Sequence, residues 1–349
     1  MKKKILALIL ACAMILALAA CSGNASTEQP AASTASDTAS DAAEAPAASE
    51  ETAASAEGKT YTVGVCQLVQ HEALDAATQG FCDALTEALG DAVTIDVQNA
   101  SGDSVNCGTI VNGFVSKNVD LIMANATPAL TAAASATADI PILGTSITAY
   151  GVALDIADFD GTVGGNISGT SDLADLSAQA QMILDWFPET RKVGLLFCSA
   201  EPNSRYQIEE VAAYLAGKGV ETEEFAFTDT NDVASVTQSA ADYSDVVYIP
   251  TDNTAAANTE AIGNVLIPAG VPAICGEEGI CRGCGVATLS ISYYDLGVTT
   301  GKMAVKVLTG EANISEMPIE FTDATPKYNP SVCEQLGITP LEGYEAIEG

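Results

Sequence analysis

Histidine occurs once in these 349 residues, as His71, and tryptophan once, as Trp186. Cations are scarce too: Lys plus Arg total 13 against 46 Asp plus Glu, a formal charge of −33. So acidic a chain repels a polyanion, which argues against nucleic acid as a partner. With one histidine, a Ser-His-acid triad has only His71 to draw on. No G-x-G-x-x-G follows the first strand-like run, no P-loop lysine occurs, and no G-x-S-x-G elbow precedes a helix. Dinucleotide, phosphate-loop and α/β-hydrolase chemistries therefore lack their residues. "CGEEGICRGC" supplies one C-x-x-C, Cys281 and Cys284, but a structural zinc site normally needs a second pair or nearby histidines. No metal and no cofactor are expected. Cys281 and Cys284 are left as either a disulfide or two thiols.

The chain opens with "MKKK", then an apolar run from Ile5 to Ala20 that ends in the small residues of "LAAC". That pattern is a secretion signal, and the run is shorter than the roughly 20 residues a spanning helix requires. "LAAC" followed by "SGN" resembles a bacterial lipobox, which makes residues 1–20 the signal peptide and Cys21 the lipidated N-terminus. Several acyl chains, at about 0.8 kcal/mol per buried methylene, give stable membrane anchoring. From Ser22 to Lys59 the chain is almost entirely Ala, Ser, Thr, Glu, Asp and Pro and cannot bury a core, so 21–59 reads as anchor and disordered tether. Of the ten cysteines, Cys12 leaves with the signal and Cys21 is the anchor. Cys66, Cys198 and Cys275 fall in or beside apolar runs, where cysteine acts as a small buried hydrophobe.

The remaining stretch of about 290 residues suits two domains. It alternates β-rich runs with helical patterns, the sign of parallel sheets covered by helices. "YTVGVCQLV" (61–69) is echoed by "RKVGLLFCS" (191–199), "DLIMANATPALT" (120–131) by "DVVYIPTDNTAA" (245–256), and "IPILGT" (140–145) by "VPAICG" (271–276). Three matches at nearly constant spacing predict two lobes of one topology. "GGNISGTSD" (164–172) suits a crossover between them. The helix in "SYYDLGVTTGKMAVKVL" has no counterpart in this repeat and is expected to return to the first lobe, with a third crossing near "IEFTDATPKYNP". The predicted fold is α/β: two Rossmann-like lobes joined by a three-strand hinge. The first comprises 60–170 plus 290–320 and the second 171–289 plus 321–349.

Ligands in open α/β sheets bind outside the carboxyl ends of the strands, which here face one cleft. The segments at those ends are 67–71, 125–128, 145–148, 199–204 and 251–254, with Glu277. Their Ser, Thr, Asn and Gln side chains, with helix N-termini beyond them, suit a carboxylate. Asp252 and Glu277 suit an ammonium group. Thr127, Ser204 and Asp252 could equally be helix caps. Together the set points to a zwitterion, that is, an amino acid. Trp186 in "DWFPE" reads as core, while Tyr150, Tyr206 and Tyr293 lie nearer the cleft or hinge.

"QLVQHEALDAATQGF", "NASGD", "NATPAL", "GTSD", "EPNSRYQ", "YIPTDNT" and "SISYYDLG" resemble the ABC-transporter substrate-binding lipoproteins of the tryptophan/tyrosine-binding type, from about Tyr61 to about Gly337. The resemblance implies the type I periplasmic-binding fold, capture of a small solute outside the cell, and delivery to a membrane permease. On this sequence it points to Gln67, His71, Asn125, Thr127 and Ser146 from the first lobe. From the second it points to Ser199, Asn203, Ser204, Thr251, Asp252 and Asn253, with Asp252 the first choice for the ammonium. "GEEGICRGCG" departs from the family pattern, so Glu277 is the weaker choice. The expected activity is amino-acid binding without catalysis, an aromatic ligand being favoured. An extracellular sensor of the same fold is the alternative, and a hydrolase using His71 is the least favoured.

Overall fold

The computed structural model describes residues 58–348, so the signal sequence, Cys21 and most of the tether lie outside the described residues. The first half runs β1 (Tyr61–Gln67), α1 (Glu72–Leu89), β2 (Val93–Asn99), α2 (Ser104–Lys117), β3 (Leu121–Asn125), α3 (Thr127–Ala136), β4 (Ile142–Ile147), α4 (Tyr150–Ala153), β5 (Ile167–Ser171) and α5 (Leu176–Trp186). The second runs β6 (Lys192–Cys198), α6 (Pro202–Gly217), β7 (Glu221–Phe227), α7 (Val233–Tyr243), β8 (Val246–Ile249), α8 (Asn253–Ala256), α9 (Thr259–Ala269), β9 (Ala273–Cys275), α10 (Glu278–Cys284), β10 (Ala287–Ser290) and α11 (Tyr293–Thr309). β11 (Glu320–Phe321), β12 (Thr325–Tyr328), α12 (Pro330–Leu336) and β13 (Glu345–Ala346) close the chain.

Two sheets form, with strand orders β11-β5-β4-β3-β1-β2 and β13-β12-β10-β9-β8-β6-β7. Central strands such as β3 and β8 are buried along their whole length, because helices cover both faces of a parallel sheet and leave no wet side. β1 lies between β2 and β3 in parallel register, and β6 between β7 and β8 in the same way. The two lobes thus share one topology, as the repeat in the sequence predicts. The chain passes between them three times: after β5, after β10, and between β11 and β12.

The helix after β10 does return to the first lobe, but it has a counterpart, which corrects the reading of the sequence. α5 leaves the first sheet to pack on the second, where the Gln179 amide donates to the Gly276 and Leu289 carbonyls and accepts from Tyr248. α11 leaves the second sheet to pack on the first, where the Thr300 hydroxyl meets those of Thr145 and Thr170 at 3.1 and 2.8 Å. The lobes have exchanged equivalent helices, each pinned by one buried polar residue.

α11 lies close against α1 because small residues face each other there. A Cβ on Gly80 would overlap the Tyr294 carbonyl oxygen, and one on Gly297 the Ala77 carbonyl oxygen. This contact fixes α1 against α11 from Ala77 to Gly80. Trp186 packs in the second-lobe core, edge-on to Tyr344, as its sequence context predicts. Tyr150 is core as well, its hydroxyl donating to the Thr170 carbonyl. Cys281 and Cys284 are free thiols, buried in the second-lobe core with Cys275.

Candidate functional site

Both sheets end at a slot between the lobes. His71, Leu74, Ser146 and Thr148 line it from the first lobe. Asn203, Thr251, Asp252, Asn253, Ala256 and Glu277 line it from the second. Asp172 and Tyr293 line it from the first and second crossings, and their side chains meet, Tyr293 Oη donating to Asp172 Oδ2 at 2.9 Å. The lobes touch across the slot through His71 Nε2 and Asn253 Oδ1, 3.2 Å apart. The Asn253 amide nitrogen donates to Glu201 Oε2, which leaves its oxygen for the ring; His71 Nε2 therefore carries the proton. An amide, and not a serine hydroxyl, is the ring's partner, so no triad is assembled on His71 here.

The slot has about 10 Å³ of free space, room for one group the size of a water molecule. Asn253 also borders a wider groove of about 360 Å³, walled by Leu68, Val69 and Pro128 on one side and Ala200, Thr254 and Ala257 on the other.

The local reason for each side chain's position is a helix start. Asp252 caps α8, its Oδ1 accepting from Ala255 N at 2.8 Å, while its Oδ2 accepts from Cys198 N at 2.7 Å. Glu277 caps α10 by accepting from the amides of Gly279 and Ile280. Glu201 accepts from the amides and side chains of Asn253 and Thr254. The carboxylates of the second lobe are thus occupied by their own backbone. α1 is different: His71 stands at its N-cap without a side-chain hydrogen bond to the first turn.

Three buried polar atoms in the slot have no partner among the described residues: Ser146 Oγ, Asp172 Oδ1 and Asn203 Oδ1. The amide nitrogen of Asn203 donates to Thr251 O and Glu201 Oε2, which turns its oxygen toward the slot. A buried acceptor left unmade costs about 1–3 kcal/mol, so this is a place prepared for donors from elsewhere.

The electrostatics agree. Burial lifts the Asp172 carboxyl to about 6 and that of Glu277 to about 7. Burial, reinforced by the neighbouring Glu201 charge, lifts Asp252 to about 7. Burial also lowers the His71 pKa, so its ring is neutral at pH 7 and supplies no compensating charge. Among the described residues, no Lys or Arg lines the slot.

Of the residues expected from the sequence, the structure brings His71, Ser146, Asn203, Thr251, Asp252, Asn253 and Glu277 to the slot. The others brace loops. Gln67 donates to Val69 O and Asp75 Oδ1 and accepts from Thr78. Asn125 donates to Leu74 O and Thr78. Thr127 opens α3, directly after Ala126, whose φ is +87°. The Ser199 hydroxyl donates to Phe227 O, and Ser204 is wholly buried. Asp172 is not among the expected residues, because the glycines and hydroxyls of "GGNISGTSD" read as a connector. The available signal was a lone acid directly following a buried strand, at the same sheet edge as the other loops.

The ABC transporter substrate binding protein family model matches residues 62–344. The tyrosine-binding protein of Clostridioides difficile is 32% identical over 281 residues, 80% of this chain and 81% of that protein. The ABC domain from Streptococcus pneumoniae in complex with L-Trp superposes with a TM-score of 0.78 at 32% identity, covering 83% of this chain and all of that one. The ligand-free, open structure of a Clostridium difficile substrate-binding protein with adhesive properties gives 0.64 at 32% identity, covering 83% of this chain and 99% of that one. The chain as a whole superposes more closely on the tryptophan complex than on the open form. The chain is an ABC transporter substrate-binding protein.

Proposed function

We infer that this protein captures an amino acid, with an aromatic one favoured, and presents it to an ABC permease at the extracytoplasmic face of the membrane. The observation that carries the reading is the pair Asp172 Oδ1 and Asn203 Oδ1, unpartnered among the described residues, in a slot that these residues wall with three buried carboxyls and no Lys or Arg. An ammonium group supplies the missing donors and the missing charge. Asp172 replaces Asp252 as its carboxylate partner, because both oxygens of Asp252 are already bonded within the second lobe. The ligand carboxylate goes to the first lobe, where the Ser146 hydroxyl and the uncapped first turn of α1 offer donors. The groove beyond Asn253 takes the side chain. The tyrosine-binding and L-Trp-bound relatives support the aromatic preference.

Capture works by closure. A micromolar ligand provides about 8 kcal/mol, more than the roughly 5.5 kcal/mol that would carry even a fully open ensemble to mostly closed. Anchoring is by lipid on Cys21. Labelled fatty acid should enter the wild-type protein in a bacterial host and not Cys21→Ser; equal labelling of both would refute the anchor. The ligand reading is tested by a thermal-shift screen against amino acids, sugars and nucleosides. L-Tyr or L-Trp should raise Tm by several degrees; a strong shift with a sugar and none with any amino acid would overturn it.

A further inference from the structure

The first turn of α1 touches the second lobe at a further point, and the groups there are charged. Arg282 Nη2 on α10 lies 3.2 Å from Glu72 Oε1 on α1 and 2.7 Å from Glu278 Oε1. Lys327 Nζ on β12 lies 2.6 Å from the other oxygen of Glu278. The four residues form one chain of alternating charge that begins in the first lobe and ends in the second. Its second-lobe part is held in place: the Asn329 amide donates to the carbonyls of Cys281 and Arg282, fixing the end of α10. The lobes meet closely beside it, since a Cβ on Gly279 would stand 3.5 Å from Glu72 Cβ. Arg282, Glu278 and Gly279 all belong to "GEEGICRGCG", the stretch that departs from the family pattern.

We propose that the Glu72–Arg282 pair, backed by Glu278 and Lys327, is an electrostatic latch that sets how long the lobes stay closed and therefore how fast ligand leaves. No residue of the latch lines the slot, so it adds nothing to ligand recognition itself. Opening the cleft parts Glu72 from Arg282 but leaves Arg282 with Glu278, so the cost falls on one pair. The magnitude is that of a partly exposed ion pair in a network, and it is screened by salt.

The test is a double-mutant cycle on the purified full chain with Glu72→Gln, Arg282→Gln and the double variant. Radii of gyration of the unliganded proteins are measured by small-angle scattering at about 50 mM and 500 mM NaCl. Each single substitution should enlarge the unliganded protein at low salt to the same extent, and the double variant should go no further. High salt should enlarge the wild type and leave the variants unchanged. Release of labelled L-tyrosine or L-tryptophan should quicken about two- to fivefold in each variant. Unchanged radii in both single variants, or effects that add in the double one, would overturn the latch. The scattering arm needs no ligand, so failure of these amino acids to bind would count against the functional reading and leave the latch decided separately.

Discussion

The two lobes share a strand order and treat the strand ends that line the slot in different ways. In the second lobe the acids consume the local donors: Asp252, Glu277 and Glu201 each accept from the amides that open a helix. In the first lobe α1 starts without a side-chain cap, and the Ser146 hydroxyl is buried with no partner. Asp172 stands at the crossing between them with one oxygen on Tyr293 and the other unused. The difference teaches that an acid at a cleft is a ligand group only if its oxygens are not already spent. It also gives the slot a direction, with donors on one wall and a free carboxylate at the hinge.

The sharpest way to break this comparison is to remove one charge at a time. Asp172→Asn should weaken amino-acid binding by about 2–5 kcal/mol, read by calorimetry, because an ammonium then loses its buried partner. Asp252→Ala should act mainly on stability, costing about 1–3 kcal/mol in denaturant unfolding through the lost α8 cap and the stranded Cys198 amide. If Asp252→Ala removes binding while the fold keeps its stability and Asp172→Asn leaves affinity intact, the two roles are reversed.

Gly297→Ala should destabilise the protein by about 1–3 kcal/mol, since the methyl forces α11 off α1. An unchanged unfolding midpoint would show that this contact does not hold the first lobe together.

Protonation offers a milder probe. The Asp172 carboxyl, raised to about 6 by burial, must be ionised to hold an ammonium. Affinity should therefore fall about tenfold between pH 7 and pH 5, about 1.4 kcal/mol. The stability of the unliganded protein should move the other way. A carboxyl whose folded pKa lies above its unfolded value contributes its full stability below about pH 4, and that contribution is lost as pH rises through 6 to 7. An affinity flat from pH 5 to 7 would remove Asp172 from the ammonium site.

The smallest effect is expected at the other wall. Ser146→Ala should cost about 0.5–1.5 kcal/mol for an amino acid and nothing for the matching amine that lacks a carboxylate. Equal losses for both ligands would place the carboxylate elsewhere.

The lobes were legible because a parallel strand buried on both faces must be an apolar run, and the runs at 61–69, 120–131 and 140–145 recur at 191–199, 245–256 and 271–276. The kinship of α5 and α11 was not legible, because each carries side chains fitted to the other lobe's surface. "LSAQAQMILDW" carries Gln179 for a set of carbonyls, and "YYDLGVTTGKMAVKVLT" carries Gly297 and Thr300 for a close helix and two hydroxyls. Residue type marked the loops of the cleft as polar, but Gln67 and Asn125 turned inward to brace α1, which no spacing reveals.

By itself the sequence determined the two-lobed α/β architecture and the sheet edge at which a ligand is held, because apolar periodicity and repetition are local properties of the chain. Only the tertiary structure decided which acid is free and where the lobes clasp. Asp172 and Asp252 look alike along the chain, and their difference lies in hydrogen bonds to Tyr293 and Cys198, 121 and 54 residues away. Glu72 and Arg282 meet only because three crossings and the α1–α11 contact bring the two lobes' edges together.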